Sequence, residues 1–247
     1  MKSTVLAVIP ARMGSRRFAG KVLYPYRGNP LLSYVWREVG RARNIDQLLI
    51  ATDSDQVRRE AEAFGARVIR TSPRHRTGSD RVAEVVKKIG AEIVVNVQAD
   101  NFGLKRAVLE RTIERMKRDP SIKFATLACR VQTDDDLFDP NLVKVVLSKA
   151  GEALWFSRFP VPYLRDADNS SRASQFKFYE HIGVYFFRKA ALRAFAGWKR
   201  SALEKAESLE QLRILENGGR MRVFKITTRP VSIDRPDDVK KLEALYH

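Results

Sequence analysis

The chain has 247 residues, of which 44% are hydrophobic and 30% charged, and its formal net charge is +17 at pH 7. This length and composition are typical of a folded protein with a sizeable core, and no apolar run approaches the ~18 residues that a membrane span needs. The single cysteine, Cys129, excludes an internal disulfide and fits a reducing compartment. Because no signal-peptide pattern is visible either, we expect a cytoplasmic protein without a membrane span.

The positive charge favours anionic partners such as nucleotides, acidic sugars, nucleic acid or an anionic membrane surface. The basic residues are spread along the sequence, with no basic tail and no interleaved basic and aromatic motif of the RNA-recognition kind. We therefore do not expect nucleic acid as the main partner.

The stretch from Val5 to Lys21 combines a strand pattern with a basic loop. Its apolar run, Val5 to Ile9, predicts a parallel strand buried on both faces. The loop that follows contains Gly14 and Gly20, which let backbone N–H groups approach a ligand, together with several arginines and Lys21. These residues favour a phosphate-binding loop, and the alternative is a solvated basic loop without function.

The first half of the chain then alternates between strand and helix patterns. We expect further strands near 48–51, 68–69, 93–97 and 124–129, with helices near 31–42, 54–64, 79–88 and 105–117. Ser79 is the expected cap of the third of these helices, and residues 52–54 offer caps for the second. The alternation predicts an α/β fold built on a doubly wound, mostly parallel sheet.

The second half changes character. We expect a hairpin over 143–156, a long loop over 160–175, strands near 182–187 and 221–226, a helix over 204–216 and a last helix opened by Pro236. No repeat or linker interrupts the sequence. The organisation predicted is a single domain, 1–247, with a smaller α+β elaboration at about 140–220.

Ligands of open α/β sheets bind at the carboxyl ends of the strands, so the residues that follow the predicted strands are the candidates for a site. Asp100 follows one strand, and Asp234 lies a few residues beyond the last one. Two carboxylates beside a cationic phosphate loop suit Mg²⁺, which proteins hold through one or two carboxylates plus substrate phosphates. Asp53 is better interpreted as a helix cap, and Asp234 has a capping position as an alternative.

Several other kinds of site are excluded. The Walker spacing fails because five residues separate Gly14 from Gly20 and Val22 follows Lys21. The sequence contains no GxGxxG pattern, no GxSxG nucleophile elbow and no metal-ligand spacing among its three histidines.

Ordered motifs along nearly the whole chain carry a family resemblance. They are PARMGSRRFAGK, ATDSD, TGSDR, VNVQAD, NLVKVVL, ALWFSR, PVPY, HIGVYFFRK, LEQLRILENG and SIDRPDDV. In this order and spacing they closely resemble the 3-deoxy-manno-octulosonate (Kdo) cytidylyltransferase family, the CMP-Kdo synthetases. PAR alone is weakly specific, whereas the ordered set is strongly specific.

The resemblance implies an enzyme that transfers CMP from CTP to the anomeric hydroxyl of Kdo and releases pyrophosphate, for lipopolysaccharide precursor synthesis. It implies a Rossmann-like fold of the nucleotide-diphospho-sugar transferase type, Mg²⁺ as cofactor and a homodimer, with the ALWFSR region as a contact. The choice of CTP over other nucleotides rests on the resemblance alone.

The resemblance also implies roles for individual residues. Those expected to bind the nucleotide are Ala11, Arg12, Ser15, Arg17, Lys21, Ser79, Arg81 and Asp100, and those expected around the sugar acid are Gln98, Arg158, Arg165, His181, Tyr185, Glu210 and Gln211. Asp100 and Asp234 would hold the metal, and with Arg12 and Lys21 they form the expected catalytic set. His181 and Tyr185, four apart on a strand and hence on one face, have the alternative interpretation of satisfied core residues.

The sequence departs from the family pattern next to Asp100. Where the family commonly has QGDEP, this chain has Gln98-Ala99-Asp100-Asn101-Phe102. Two alternatives therefore stay open: a cytidylyltransferase for a related acidic sugar such as 8-amino-Kdo, and a catalytically weakened homologue that binds a nucleotide or nucleic acid.

Overall fold

The buried N-terminal strand is confirmed: β1 spans Val5–Pro10, and its residues from Val5 to Ile9 are no more than 1% exposed. The structure, a computed structural model, describes residues 4–14, 18–167 and 171–246. β1 lies between two parallel neighbours, pairing Ala7 with Leu48 on one side and with Val95 on the other. Side chains on both faces of β1 are thus covered, which explains its unbroken apolar sequence.

The elements follow in chain order. The strands are β2 (Pro25–Tyr26), β3 (Asn29–Pro30), β4 (Gln47–Thr52), β5 (Val68–Arg70), β6 (Ile93–Val97), β7 (Asn101–Phe102), β8 (Phe124–Arg130), β9 (Lys144–Leu147), β10 (Ala153–Ser157), β11 (Tyr179–Arg188), β12 (Met221–Ile226) and β13 (Val231–Ser232). The α-helices are α1 (Leu31–Gly40), α2 (Asp55–Ala63), α3 (Gly78–Lys88), α4 (Arg106–Arg118), α5 (Asp134–Phe138), α6 (Arg172–Gln175), α7 (Lys189–Gly197), α8 (Ala202–Glu207) and α9 (Leu212–Glu216). Two 3-10 helices span Lys21–Leu23 and Pro236–Ala244.

The chain divides into two compact units. The first comprises Met1–Pro120, Phe186–Ala196 and Pro230–His247, and the second comprises Ser121–Tyr185 and Gly197–Arg229. The single domain expected from the sequence stays a prediction.

In the first unit the strand order is β6-β1-β4-β5, with β4 and β6 parallel to β1 and β5 parallel to β4. The chain moves outward from β1 to β5 and then returns to the other side of β1 as β6. The order of strands therefore reverses between β1 and β6. In open α/β sheets, ligands bind outside the carboxyl ends of the two strands at such a switch point.

In the second unit, β12 pairs in parallel with β8, β8 also lies beside β11, and the antiparallel hairpin of β9 and β10 joins the sheet through β11. The hairpin and the strands near 182–187 and 221–226 are confirmed, as is the mixed character of this half of the chain. The doubly wound, mostly parallel α/β fold is confirmed as well.

The prediction of one helix over 204–216 is wrong, because the structure forms α8 and α9 with a turn between them. Ser208, directly after α8, has φ 53, a left-handed conformation that stops a helix. At the other end of α8, Ser201 and Glu204 form a reciprocal capping box. The periodic leucines of this segment favour a single helix, but these local end signals divide it into two.

Two other differences are smaller. The last helix, opened by Pro236, is a 3-10 helix, and α7 directly after β11 was not expected. No helix among the described residues is long and apolar enough to cross a membrane.

Candidate active site at the carboxyl ends of β1 and β6

A backbone hydrogen bond joins Met13 and Gly20, which precede Lys21 in the chain. Gly20 adopts φ 71, and its N–H donates to the Met13 carbonyl at 3.1 Å. A side chain at this φ would be strained, so glycine is the residue that lets Lys21 begin a 3-10 helix here. Ser15 and Arg17, expected to bind the nucleotide, lie outside the described residues.

Two further residues of this loop were expected to contact the nucleotide. Arg12 is exposed. The Ala11 side chain is buried, and the Ala11 N–H donates to the Ala51 carbonyl at 2.9 Å, which extends the parallel pairing of β1. The contacts of Ala11 and Arg12 with a nucleotide stay predictions.

Lys21 joins the two carboxylates that were expected to hold a metal. Its Nζ donates to Asp100 Oδ2 at 2.7 Å and to the Ile233 carbonyl at 2.6 Å, and it lies 3.6 Å from Asp234 Oδ1. The Lys21 side chain is only 9% exposed, whereas those of Asp100 and Asp234 are 31% and 33% exposed. A buried ammonium thus draws together two carboxylates that solvent reaches.

Asp234 reaches Asp100 because a short antiparallel ladder joins their chain segments. β13 pairs with β7, with Val231 opposite Phe102 and Ser232 opposite Asn101. Asp100 directly precedes this ladder and Asp234 follows it by two residues, so both carboxylates emerge at the same end.

The capping alternative for Asp234 is not what the structure shows. The carboxylate at the start of the last helix belongs to Asp238, whose Oδ2 accepts the N–H groups of Asp234 and Arg235 at 2.9 and 2.8 Å. The Asp234 carboxylate is therefore not the cap of this helix.

The carboxylate pair meets the chemical requirements of magnesium. The lysine ammonium between Asp100 and Asp234 shows that this position stabilises a cation. Among the residues that the structure describes, no group of three or more His, Cys, Asp and Glu side chains could hold a metal. Magnesium needs no such group, because it keeps several waters and takes its other ligands from substrate phosphates.

The N-terminus of α3 packs closely against the end of β6. A Cβ on Gly78 would lie 2.9 Å from Gln98 Oε1 and 3.1 Å from Pro10 Cγ, so any side chain here would require the Gln98 amide to move. Gln98, which is part-buried, also donates from Nε2 to Asn96 Oδ1 at 3.0 Å. The sugar contact expected of Gln98 stays a prediction.

Ser79 was expected to cap α3, and that prediction is wrong. The cap is Thr77, whose Oγ1 accepts the Asp80 N–H at 3.1 Å. Ser79 lies in the first turn, is 1% exposed, and accepts a hydrogen bond from Asn96 Nδ2 at 3.0 Å. The Ser79 hydroxyl therefore binds α3 to β6.

Arg81 has protein partners for its guanidinium. It is 3% exposed, donates to Thr71 Oγ1, and lies 3.2 Å from Asp53 Oδ2. Of the candidate caps of α2, Ser54 accepts the Val57 N–H at 3.3 Å, so Asp53 is the ion-pair partner of Arg81 rather than the cap. Arg81 fastens α3 to the chain beyond β4 and β5, and its contact with a nucleotide stays a prediction.

In the second unit, the structure brings together three residues expected around a sugar acid. His181 Nε2 lies 2.9 Å from Thr126 Oγ1, and Gln211 connects the cluster by accepting from Tyr185 Oη at 3.1 Å and lying 3.4 Å from His181 Nδ1. The rings of His181 and Tyr185 have centroids 5.5 Å apart, which confirms that they share a face of the strand.

Burial decides the charge state of this cluster. It lowers the pKa of His181 to about 3, which makes the imidazole neutral at physiological pH. It also raises the pKa of Tyr185 well above its ordinary value, and the charge of Glu210 acts in the same direction. The cluster therefore consists of neutral hydrogen-bonding groups. Such groups are compatible with sugar binding and equally with satisfied core residues, the two interpretations given from the sequence.

The remaining predicted sugar contacts differ in exposure. Arg158 Nε donates to the Glu207 carbonyl and Nη1 to the Pro140 carbonyl, both at 2.8 Å. Arg165 is exposed, and Glu210 lies in the turn between α8 and α9. Their contacts with a sugar stay predictions.

Sequence reasoning missed an ionic cluster in the second unit. Arg229 Nε lies 2.8 Å from Glu180 Oε2, and Arg229 Nη1 donates to Asp136 Oδ1 at 2.9 Å. Burial raises the pKa of Glu180 to about 7 despite the opposing charge of Arg229. One sequence signal could have identified Glu180, which directly precedes His181. Alternating residues of a strand face opposite sides, so Glu180 lies on the other face of the strand from His181.

Comparisons with known proteins agree on one family. The profile of the Cytidylyltransferase family matches residues 6–226. The 3-deoxy-manno-octulosonate cytidylyltransferase of Geobacter sulfurreducens is 41% identical over 243 residues, covering 96% of this chain and 97% of that protein. That of Geobacter metallireducens is 40% identical over 243 residues, covering 96% of each chain.

A solved structure agrees with the sequence comparisons. It is a CMP:2-keto-3-deoxy-manno-octonic acid synthetase complexed with CTP, which superposes with a TM-score of 0.90 and 33% identity over 98% of both chains. Together with the fold and the carboxylate pair at its switch point, these matches show that the chain is a nucleotidyltransferase and belongs to the 3-deoxy-manno-octulosonate cytidylyltransferase family.

Proposed function

We propose that the chain transfers CMP from CTP to the anomeric hydroxyl of Kdo, releases pyrophosphate and depends on Mg²⁺. The observation that carries this proposal is the convergence of Lys21 with two part-exposed carboxylates, Asp100 and Asp234, beside the switch point of the sheet. The CTP in the similar solved structure and the names of the curated relatives support the choice of substrates.

The proposed roles follow from charge and position. The triphosphate brings negative charge to the loop after β1, where Arg12 and Lys21 are cations at a strand end that binds ligands in this class of fold. Lys21 is held by Asp100 and the Ile233 carbonyl, so its charge is already oriented when the substrate arrives. Preorganised charges stabilise the negative charge that develops on departing pyrophosphate.

Asp100 and Asp234 would hold the magnesium ion together with the substrate phosphates. Such an ion, when bound, lowers the pKa of a coordinated hydroxyl and neutralises phosphate charge. No covalent enzyme intermediate is required, because positioning and electrostatics supply most of the catalysis in phosphoryl-type transfer.

On the sugar side, we propose that Arg165 binds the carboxylate of the sugar acid. Arg165 is exposed, whereas the Arg158 guanidinium already donates to two carbonyls. A guanidinium binds a carboxylate through two parallel hydrogen bonds, which gives orientation as well as affinity. Gln211 would supply a neutral amide for a sugar hydroxyl, with a second N–H and a second lone pair beyond its contacts with His181 and Tyr185.

The departure from the family pattern at Asn101 leaves a second candidate, a cytidylyltransferase for a related acidic sugar such as 8-amino-Kdo. The Asn101 side chain is buried, and its backbone pairs with Ser232 in the ladder beside Asp100. A neutral amide at this position lowers the negative charge next to the carboxylate pair, relative to the acidic residue common in the family.

We also propose a cytoplasmic homodimer that serves lipopolysaccharide precursor synthesis. The region Ala153–Arg158 is the proposed contact, and Leu154 within it is 59% exposed. Removing this apolar surface from water would stabilise a dimer. Sedimentation equilibrium of the wild type and Leu154→Glu tests it, since a dimer through this region predicts a monomeric variant.

Pyrophosphate release over a panel of nucleoside triphosphates and sugar acids tests the function. We expect release with CTP and Kdo in the presence of Mg²⁺, and none after chelation. Faster release with 8-amino-Kdo than with Kdo would establish the second candidate. No release with any pair, together with salt-sensitive RNA binding, would show a weakened homologue and contradict the enzymatic proposal.

A further inference from the structure

Glu38 of α1 is a buried carboxylate that binds the backbone beyond β7. The residue is 7% exposed, and its two carboxylate oxygens accept the Gly103 N–H at 2.9 and 3.0 Å. The Leu104 backbone donates to it as well. A buried carboxylate is costly unless hydrogen bonds satisfy it, so Glu38 fixes the chain at Gly103 firmly.

The same carboxylate also receives a hydrogen bond from a residue far along the sequence. The Tyr246 hydroxyl donates to Glu38 Oε1, and the Tyr246 ring lies 4.9 Å from that of Tyr34 on α1. Next to it, Leu245 packs so closely on Gly103 that a Cβ there would lie 3.1 Å from Leu245 Cδ1. Glu38 therefore joins the segment after β7 to the segment after β13.

These two segments are the ones that carry Asp100 and Asp234. Gly103 lies three residues after Asp100, and Tyr246 ends the stretch that begins at Asp234 and forms the last 3-10 helix. Lys21 attracts the two carboxylates at one end of the β7–β13 ladder. Glu38 binds the same two segments through Gly103 and Tyr246.

We propose that Glu38 is a positioning residue for the carboxylate pair, because it fixes the spacing of Asp100 and Asp234 through Gly103 and Tyr246. This inference rests on the proposed function insofar as the pair is the magnesium site. Magnesium demands near-ideal octahedral geometry, so a change in the spacing of its carboxylates weakens its binding. Groups hydrogen-bonded directly to metal ligands commonly change metal affinity by about 10–100-fold when they are replaced. Glu38 acts through Gly103 and Tyr246, one step further out, so we expect an effect at the lower end of that range.

The test is direct binding of Mn²⁺, used in place of Mg²⁺, to the full chain with saturating CTP. Water-proton relaxation separates the enzyme-bound metal–nucleotide complex from the free one. We expect Glu38→Ala to weaken Mn²⁺ binding about tenfold. We expect Glu38→Gln to recover part of the loss, since its amide oxygen still accepts the Gly103 N–H, and Tyr246→Phe to fall between the wild type and Glu38→Ala.

Asp46→Asn is the matched control. Asp46 Oδ2 also accepts a backbone N–H, that of Val5 at 2.8 Å, but at the opposite end of β1 from the site. We expect its Mn²⁺ affinity to equal that of the wild type. An equal loss in Asp46→Asn and Glu38→Ala would overturn the proposal, because it would indicate general destabilisation.

Unchanged Mn²⁺ affinity in Glu38→Ala would also overturn the positioning role of Glu38. If Glu38→Ala does not fold, the test passes to Tyr246→Phe, and unchanged Mn²⁺ affinity in that folded variant overturns the same role. No detectable Mn²⁺ binding by the wild type would overturn the metal assignment and this inference together. Failure of the proposed function has a separate signature. The wild type would then release no pyrophosphate while the order of Mn²⁺ affinities among the variants still held.

Discussion

Glu180 and His181 are neighbours in β11, and burial shifts their pKa values in opposite directions. That of Glu180 rises from 4.5 to about 7, and that of His181 falls from 6.5 to about 3. In both cases the folded protein favours the neutral form, because a buried charge is poorly solvated. Arg229 and Asp136 face Glu180, whereas Thr126 and Gln211 face His181.

The two shifts predict opposing effects of pH on stability. Between pH 4.5 and 6.5 the folded chain holds a proton on Glu180 that the unfolded chain lacks, so this group makes stability fall as pH rises. In the same range the unfolded chain holds a proton on His181 that the folded chain lacks, so this group makes stability rise with pH. Their contributions therefore oppose each other in the wild type.

Single substitutions should reveal each slope. We expect Glu180→Gln to lose stability on acidification from pH 6.5 to 4.5, and His181→Asn to gain it, each by at most ~1.4 kcal/mol per pH unit. Urea unfolding at a series of pH values measures both slopes. Identical pH profiles of the wild type and the two variants would contradict the assignment.

Asp100→Asn and Asp234→Asn should each abolish most turnover. Each removes one of the two charges that would hold the metal, and losing a preorganised electrostatic contact at a reacting centre typically costs about 10²–10³-fold in rate. Pyrophosphate release at saturating CTP and Kdo measures the loss. The control is Asp237→Asn, at an exposed aspartate three residues beyond Asp234, and it should be fully active. Near-normal rates in both site variants would refute the metal assignment.

Lys21→Met should lower kcat by about 10²–10³-fold, because the charge aimed at the triphosphate is lost. The substitution also leaves Asp100 and Asp234 without the ammonium between them, so their mutual repulsion should reduce the free energy of unfolding. Steady-state kinetics and urea unfolding measure the two effects. The control is Lys87→Met on the exposed face of α3, which we expect to change neither quantity.

Gly78→Ala should disturb the site by crowding Gln98. The new Cβ would approach Gln98 Oε1 to 2.9 Å and Pro10 Cγ to 3.1 Å, so the amide must move away from the end of β6. Because the crowded atom is the end of a flexible side chain, we expect a destabilisation at the lower end of the ~1–3 kcal/mol typical of overpacking. Gly90→Ala is the matched control, since nothing lies within 4 Å of its Cβ. Thermal unfolding and the KM for Kdo should change in the first variant only.

The fold was largely predictable because local patterns carry it. An unbroken apolar run such as Val5 to Ile9 indicates a strand covered on both faces, and the alternation of strands and helices implies the parallel sheet. Local patterns failed where individual residues determine where a helix begins or ends. Thr77 rather than Ser79 begins α3, and Ser208 interrupts a run of leucines that is periodic enough for a single helix.

The site was predictable only in its parts. Lys21 and Asp100 follow predicted strands, so the carboxyl-end rule names them as candidates. The ladder that brings Asp234 to Asp100 has two residues in each strand, too short to leave a sequence pattern. The contact of Glu38 with Tyr246 spans 208 positions, and neither residue type signals a partner at that distance. Long-range contacts through single side chains have no local signature.

The pairing of β13 with β7 also determines when the site is completed during synthesis. Asp100 and Lys21 leave the ribosome early, but Asp234 follows only after the second unit has been translated. A nascent chain that has not passed Pro230 therefore carries one carboxylate beside Lys21 and no pair. The candidate site is thus completed late in translation.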